Sequence, residues 1–211
     1  GDHRPYVLFV GTVLPRKNLP LLRDAMARLP SHQLVVVATA GLDPRSPELL
    51  EEATAPIGGR SVANLAGVDA EGLAALMRGA DALCLPSRSE GFGLPVAEAM
   101  ACGTPAVVSD RGSLPEVVGD AGIVVAPEPD ALLGGLRGAI ADRAEISRRA
   151  VRHAERFDWA RTAASGPSPS RWPGPAVDDA DILRITACPL CGEAGPPRAL
   201  GYQLRHTSVC R

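Results

Sequence analysis

An α/β fold built on a parallel sheet is what this chain of 211 residues predicts, and three observations predict it. Short apolar runs alternate with segments of helical periodicity from residue 6 to about residue 157. The runs are predominantly apolar and short, the mark of strands covered on both faces. Hydrophobic residues make up 45% of the chain but aromatics only 3%, so Val, Leu and Ala carry the core, as suits an α/β interior better than an all-β sandwich.

Each element follows in order. Tyr6–Val10 is an apolar run that stops at Gly11 and reads as the first strand. Leu19, Leu22, Met26 and Leu29 recur at helical spacing, predicting a helix over Leu19–Leu29. Leu34–Ala38 is the second strand, and Pro47–Ala55 a helix with Pro at its start. Val62–Ala66 is a short strand closed by Gly67, followed by a helix over Ala70–Arg78 and a strand over Ala82–Leu85. A helix opens at Leu94 or Pro95 and runs to Met100. Ala106–Ser109 and Ile123–Val125 are further strands; Asp130–Ile140 and Glu145–Phe157 are the closing helices. In such sheets ligands sit at the carboxyl ends of the strands, near a reversal of strand order. The loops after Val10, Ala66, Leu85 and Ser109 are therefore where chemistry is expected.

The domain so defined spans residues 5–162. Residues 163–187 are rich in Pro, Gly and Ser and read as a disordered linker, and residues 188–211 are too few to build a core. A net charge of −2 gives no electrostatic reason to expect nucleic-acid binding. No apolar run approaches the roughly 20 residues of a membrane span, and no secretory leader is visible. Five cysteines, an odd number, argue against a disulfide framework; Cys84 and Cys102 read as buried small hydrophobes. His3, His32 and His153 are scattered and read as surface residues. The chain opens on Gly rather than Met, which reads as a start inside a longer protein.

Three loops carry residues suited to a ligand. In Gly11–Asn18, Gly11 lets the backbone approach closely, and Arg16 and Lys17 set two positive charges just before a helix N-terminus, which itself favours anions. The alternative is a pair of solvated charges. In Ser89–Met100, Gly91 and Gly93 flank Phe92 and free backbone N–H groups for a phosphate, while Glu90 and Glu98 are acceptors suited to hydroxyls. Equally, Glu98 complements a helix N-terminus and the glycines serve a tight turn. In Asp110–Glu116, Gly112 and Ser113 offer backbone and hydroxyl groups to a ligand, or form a plain strand-to-helix turn. There is no G-x-G-x-x-G after the first strand, no G-x-x-x-x-G-K-[ST] and no G-x-S-x-G, which counts against nicotinamide, P-loop and hydrolase chemistry.

Together these segments resemble the C-terminal, donor-binding domain of GT-B glycosyltransferases of family 4. The matching stretches are VGTVLPRKN (10–18), LAGVDAEGLAALMRGADALCLPS (65–87), EGFGLPVAEAMACGTPAVVSD (90–110) and SLPEVVGDAGIVVAPEPD (113–130). The most specific is the pair Glu90 and Glu98, with seven residues between them that begin Gly-Phe-Gly. The resemblance implies a Rossmann-like fold and transfer of a hexosyl or mannosyl group from a UDP- or GDP-sugar with retention at the anomeric carbon. Arg16 and Lys17 would bind the diphosphate in place of a metal, and Gly11 would let their loop approach. Glu90 would contact the sugar; the backbone of Gly91, Phe92, Gly93 and Leu94 would face sugar and phosphate. Glu98 would hold the ribose, and Val68 would lie near the base. Glu116 is given no ligand role.

The resemblance further implies a glycan, lipid-linked or small-molecule acceptor and a cytoplasmic location with peripheral membrane contact. The N-terminal acceptor domain of the family has no counterpart here, so this chain by itself is expected to transfer no sugar. The alternatives are a non-catalytic nucleotide-sugar-binding module and another GT-B enzyme such as a sugar-nucleotide epimerase. The tail departs from the family. Cys188-Pro-Leu-Cys191 places two thiols on a turn, half of a tetrahedral zinc site that Cys210 and His206 would extend; free thiols in an unstructured tail are the alternative.

Overall fold

Strands apolar on both faces must be covered on both faces, and crossover direction decides which helix covers which. The computed structural model describes residues 4–38 and 46–157. In chain order the elements are β1 (Tyr6–Val10), a 3-10 turn (Pro15–Lys17), α1 (Leu19–Ala27), β2 (Gln33–Val37), α2 (Ser46–Thr54), β3 (Ala63–Leu65) and α3 (Ala70–Gly79). They continue with β4 (Ala82–Leu85), α4 (Leu94–Ala101), β5 (Ala106–Ser109), α5 (Leu114–Val118), β6 (Ile123–Val125), α6 (Pro129–Ala141) and α7 (Arg143–Ala154).

The six strands form one sheet in the order β3-β2-β1-β4-β5-β6, every pair parallel. The chain winds outward from β1 to β3, returns to the middle and winds outward the other way. Right-handed crossovers in opposite directions lie on opposite faces. Accordingly α1 packs with α2 and α6, while α4 packs with α3, α5 and α7. The interior between these layers is aliphatic: Val7, Leu8, Phe9, Leu83, Leu85 and Val107 are among its fully buried residues.

Helix ends are secured by specific groups. Asp69 accepts a 2.8 Å hydrogen bond from the amide of Gly72 at the start of α3. Three arginines satisfy carbonyls at C-terminal ends, which an α-helix leaves without partners. Arg60 donates to the carbonyls of Met26, Leu29 and His32 beyond α1. Arg23 donates to those of Ala53, Ala55 and Pro56 beyond α2. Arg143 reaches those of Arg78 and Ala80 at the end of α3.

The expected α/β fold is present, with corrections of detail. The 3-10 turn and α5 are absent from the expectation because neither is long enough to show a period. Most helix bounds shift by one to three residues, and Phe157 lies beyond the end of α7. The expectation of surface histidines fails at two positions. His32 is 8% exposed, with Nδ1 2.9 Å from Ser31 Oγ and Nε2 3.4 Å from Asp81. The side chain of His153 is 10% exposed and its Nε2 sits 2.9 Å from the Val117 carbonyl. Cys84 is buried as expected, but Cys102, at the end of α4, is only half-buried.

Candidate functional site

The reversal of strand order falls between β1 and β4. The loops leaving these neighbours part toward opposite faces, one entering α1 and the other α4, and the gap between their carboxyl ends is the crevice such sheets use for ligands. Residues 11–18 and 86–93, far apart in sequence, are thus side by side. A backbone bond from the Arg88 amide to the Arg16 carbonyl, 2.7 Å, stitches them together. The side-chain amide of Asn18 adds a 3.3 Å bond to the Pro86 carbonyl.

Across this seam Lys17 Nζ lies 2.6 Å from Glu90 Oε1 and Arg16 lies 3.2 Å from Glu90 Oε2. Arg16 also donates to the Ser89 carbonyl at 3.0 Å. The side chains of Lys17 and Glu90 are only 8% and 7% exposed, whereas that of Arg16 is 46% exposed. Burial by itself would raise the carboxyl pKa of Glu90. Hydrogen bonds from Lys17 and Ser87, with the charges of Lys17 and Arg16, outweigh it and hold the group below the ordinary carboxylate range. Glu90 is therefore a fixed carboxylate at neutral pH, suited to accepting hydrogen bonds.

Residues of the loop after β4, of β5 and of the loop after β5 hold Glu90 in place. Ser87, itself fully buried, donates to Glu90 Oε1 at 2.6 Å, and the Ser109 hydroxyl donates to the Ser87 carbonyl. Ser113 donates to the Phe92 carbonyl at 2.9 Å and lies 3.3 Å from that of Glu90. Gly112 takes φ +61°, and a Cβ there would stand 2.9 Å from both the N and the O of Glu90. Gly112 and Ser113 thus support the neighbouring loop; of the two readings open for them, the turn fits better, because the Ser113 hydroxyl is committed to backbone.

A family model for the glycosyl transferases group 1 matches residues 1–157. The chain belongs to that family. It is 37% identical over 164 residues to the O-antigen chain mannosyltransferase B of Escherichia coli, covering 73% of this chain and 42% of that protein. It is 38% identical over 167 residues to a D-inositol 3-phosphate glycosyltransferase of Mycobacteroides abscessus, covering 75% of this chain and 37% of that one. Among solved structures it resembles Anabaena HepE in complex with UDP, at 26% identity and a TM-score of 0.65, over 77% of this chain and 50% of that chain. The chain spans about two fifths of the length of these curated relatives. Its fold is one Rossmann-like half of the GT-B architecture that these glycosyltransferases share.

The other residues singled out in this glycosyltransferase domain take definite places. Gly11 lies alongside Lys17, its Cβ position 3.7 Å from Lys17 Cε and Nζ. Gly91 and Phe92 form the exposed rim of the loop after β4. Gly93 caps α4 with φ +94°, and a Cβ there would meet Leu114 at 2.7 Å, so both conformation and space demand glycine. Leu94 and Pro95 then begin α4; Pro95 has no N–H to leave unpaired, and the amides of Val96 and Ala97 donate to the Gly93 carbonyl. Glu98 sits at the fifth position of α4, in its second turn, and is half-buried. Val68 follows β3, two strands from β1, and packs partly against the core at the same edge of the sheet.

Ser87, Ser109, Phe157 and Asn18 are the supports that sequence reasoning assigned no part. Phe92 is 42% exposed, yet its ring meets that of Phe157 edge-on at 5.6 Å, and His153 approaches Phe157 at 5.8 Å. The segment just beyond α7 thereby braces the loop that carries Glu90. The signal was strand order: once β1, β4 and β5 are neighbours, the three loops must touch. Cys188, Cys191, Cys210 and His206 lie outside the described residues. Among the described residues no three metal-binding side chains gather, and no helix is long and apolar enough to cross a membrane.

Proposed function

We propose that this domain binds the diphosphate of a nucleotide-activated sugar at the β1/β4 crevice and serves transfer of a glycosyl group with retention of configuration. The observation that carries the reading is the convergence of Lys17, Arg16 and Glu90 beside the N-terminus of α4. Charge accumulates on the departing diphosphate as the glycosidic bond breaks. The two cations that converge in the crevice would offset that charge, which is the arrangement that lowers such a barrier. Arg16 and Lys17 supply in this scheme the positive charge that a metal supplies elsewhere. Gly11 leaves room for the phosphates, and the backbone from Gly91 to Leu94 lines the sugar and phosphate side. Glu90 accepts from sugar hydroxyls, Glu98 from the ribose, and Val68 borders the base. The UDP complex of HepE supports a nucleotide diphosphate as ligand, with UDP and GDP both in play.

The acceptor, whether glycan, lipid-linked or small-molecule, is assigned to the remaining length that the relatives possess. Transfer is accordingly proposed to need both halves. Because the chain spans about two fifths of those relatives, the second reading is a binding module that presents nucleotide sugar without turning it over.

Isothermal titration of UDP and GDP into wild type and the Arg16→Ala/Lys17→Ala double variant tests the site. Binding is expected for one nucleotide at least and is expected to fall by 100-fold or so in the variant, since charged hydrogen bonds contribute about 1.5–3 kcal/mol each. Equal affinity in both proteins refutes the diphosphate assignment. Turnover of UDP-glucose or GDP-mannose by the chain alone removes the need for a second half.

A further inference from the structure

Both cations of the crevice are engaged by a carboxylate of the same chain. We infer that Glu90 acts as an internal competitor for Lys17 and Arg16, and so discriminates an intact sugar nucleotide from the bare nucleoside diphosphate left after transfer. The inference rests on the donor-site reading above and deepens it.

The argument is one of hydrogen-bond accounting in a desolvated place. Lys17 Nζ and Glu90 Oε1 stand 2.6 Å apart, and both side chains are more than nine-tenths buried. A carboxylate in that position keeps its charge only while donors surround it. A diphosphate that takes Lys17 and Arg16 removes two of those donors, leaving the 2.6 Å bond from Ser87. It also brings further negative charge toward Glu90. A bare nucleoside diphosphate offers nothing in exchange at this carboxylate. A sugar nucleotide offers the hydroxyls of its sugar, each a donor, delivered by the same binding event. Glu90 therefore weakens the product more than the donor, which favours departure of the product and limits its competition with fresh substrate. Ser87, itself fully buried, donates to Glu90 Oε1 at 2.6 Å and holds the carboxylate beside the two cations, so it stays in competition for them.

Titration calorimetry on the full 211-residue chain tests this, with UDP, GDP, UDP-glucose and GDP-mannose as probes against wild type, Glu90→Gln and Glu90→Gln in a Lys17→Ala background. Glutamine keeps the size and removes the charge. The expected result is about tenfold tighter binding of the bare nucleotide by Glu90→Gln, the order of one charged hydrogen bond. No gain is expected for the sugar nucleotide, so the preference for donor over product shrinks. The gain for bare nucleotide is expected to vanish in the Lys17→Ala background. Glu90→Ser carries the same expectation through a smaller side chain, should the glutamine variant fold poorly. Bare-nucleotide affinity that is unchanged or weaker in a folded Glu90 variant overturns the competitor role and leaves the donor site standing. Wild type that binds none of the four probes overturns the donor site, and this inference with it.

Discussion

Replacing Gly112 with alanine separates a conformational demand from a contact demand at the point where the site is built. At φ +61° an L-residue with a Cβ is strained by roughly 1–2 kcal/mol. The added methyl would also stand 2.9 Å from the N and O of Glu90, closer than such atoms approach in folded proteins. The Glu90 peptide is backbone and has little freedom to yield, because Ser113 sits at its carbonyl and Lys17 and Ser87 hold its side chain. Relieving the overlap adds an overpacking cost of about 1–2 kcal/mol. The sum is about 2–4 kcal/mol. With a urea slope near 2 kcal/mol per molar, typical of a domain this size, the unfolding midpoint should fall by roughly 1–2 M. Gly134 provides a control of opposite sign. It lies exposed within α6 with open space where its Cβ would be, so Gly134→Ala should stabilise by about 0.5–1 kcal/mol. Urea unfolding followed by far-ultraviolet circular dichroism reads both. A Gly112→Ala midpoint within about 0.2 M of wild type would refute the close-approach argument, whatever happens at Gly134.

Three further outcomes follow from the same geometry. Ser87→Ala removes a buried donor to Glu90 and should cost about 1–3 kcal/mol in chemical denaturation, while Ser147→Ala on α7 should cost less than about 0.5; equal losses would deny Ser87 its place in the network. Because the folded pKa of Glu90 is depressed, the stability it contributes is complete above the unfolded value near about 4.3 and is lost as pH falls through the folded one. The stability gap between wild type and Glu90→Gln should therefore narrow from pH 7 to about pH 3, and a gap independent of pH would contradict the ion-pair assignment. Phe157→Ala should destabilise by about 1–2 kcal/mol, and a double-mutant cycle with Phe92→Ala should show a coupling of about 0.5–1.5 kcal/mol; additive losses would mean the two rings do not support each other.

The strands were the most legible part of the fold, for a physical reason. Val7–Val10, Ala82–Leu85 and Ala106–Ser109 are buried on both faces, so each is an unbroken apolar run bounded by Gly, Pro or Asp. Five-residue α5 shows no period; Ser113, Pro115 and Glu116 at its start mark a helix N-terminus but not a length. Within the site, Arg16, Lys17 and Glu90 could be picked out as charges in loops at strand ends. Their mutual engagement could not be read there, because it depends on β1 and β4 being neighbours rather than on anything near either residue. The same holds for Gly112 and Ser113, which look like an ordinary turn until β5 is placed beside β4. His32 and His153 misled because polarity suggests the surface, whereas each is buried against partners that local sequence does not reveal, Asp81 and the Val117 carbonyl.

The pairing of β1 with β4 joins segments 73 residues apart at the Lys17–Glu90 contact. A chain that has folded only as far as β3 holds the β1 half of the crevice without the β4 half, so the complete site appears late on any route that builds the sheet outward from β1. A nucleotide that binds there grips the central seam of the sheet and none of the partly assembled forms. At a concentration 100 times its Kd it would add about 2.7 kcal/mol to the whole domain. Resistance to protease in the presence of nucleotide thus becomes a gauge of how much of a newly made population has finished folding, read without any assay of sugar transfer.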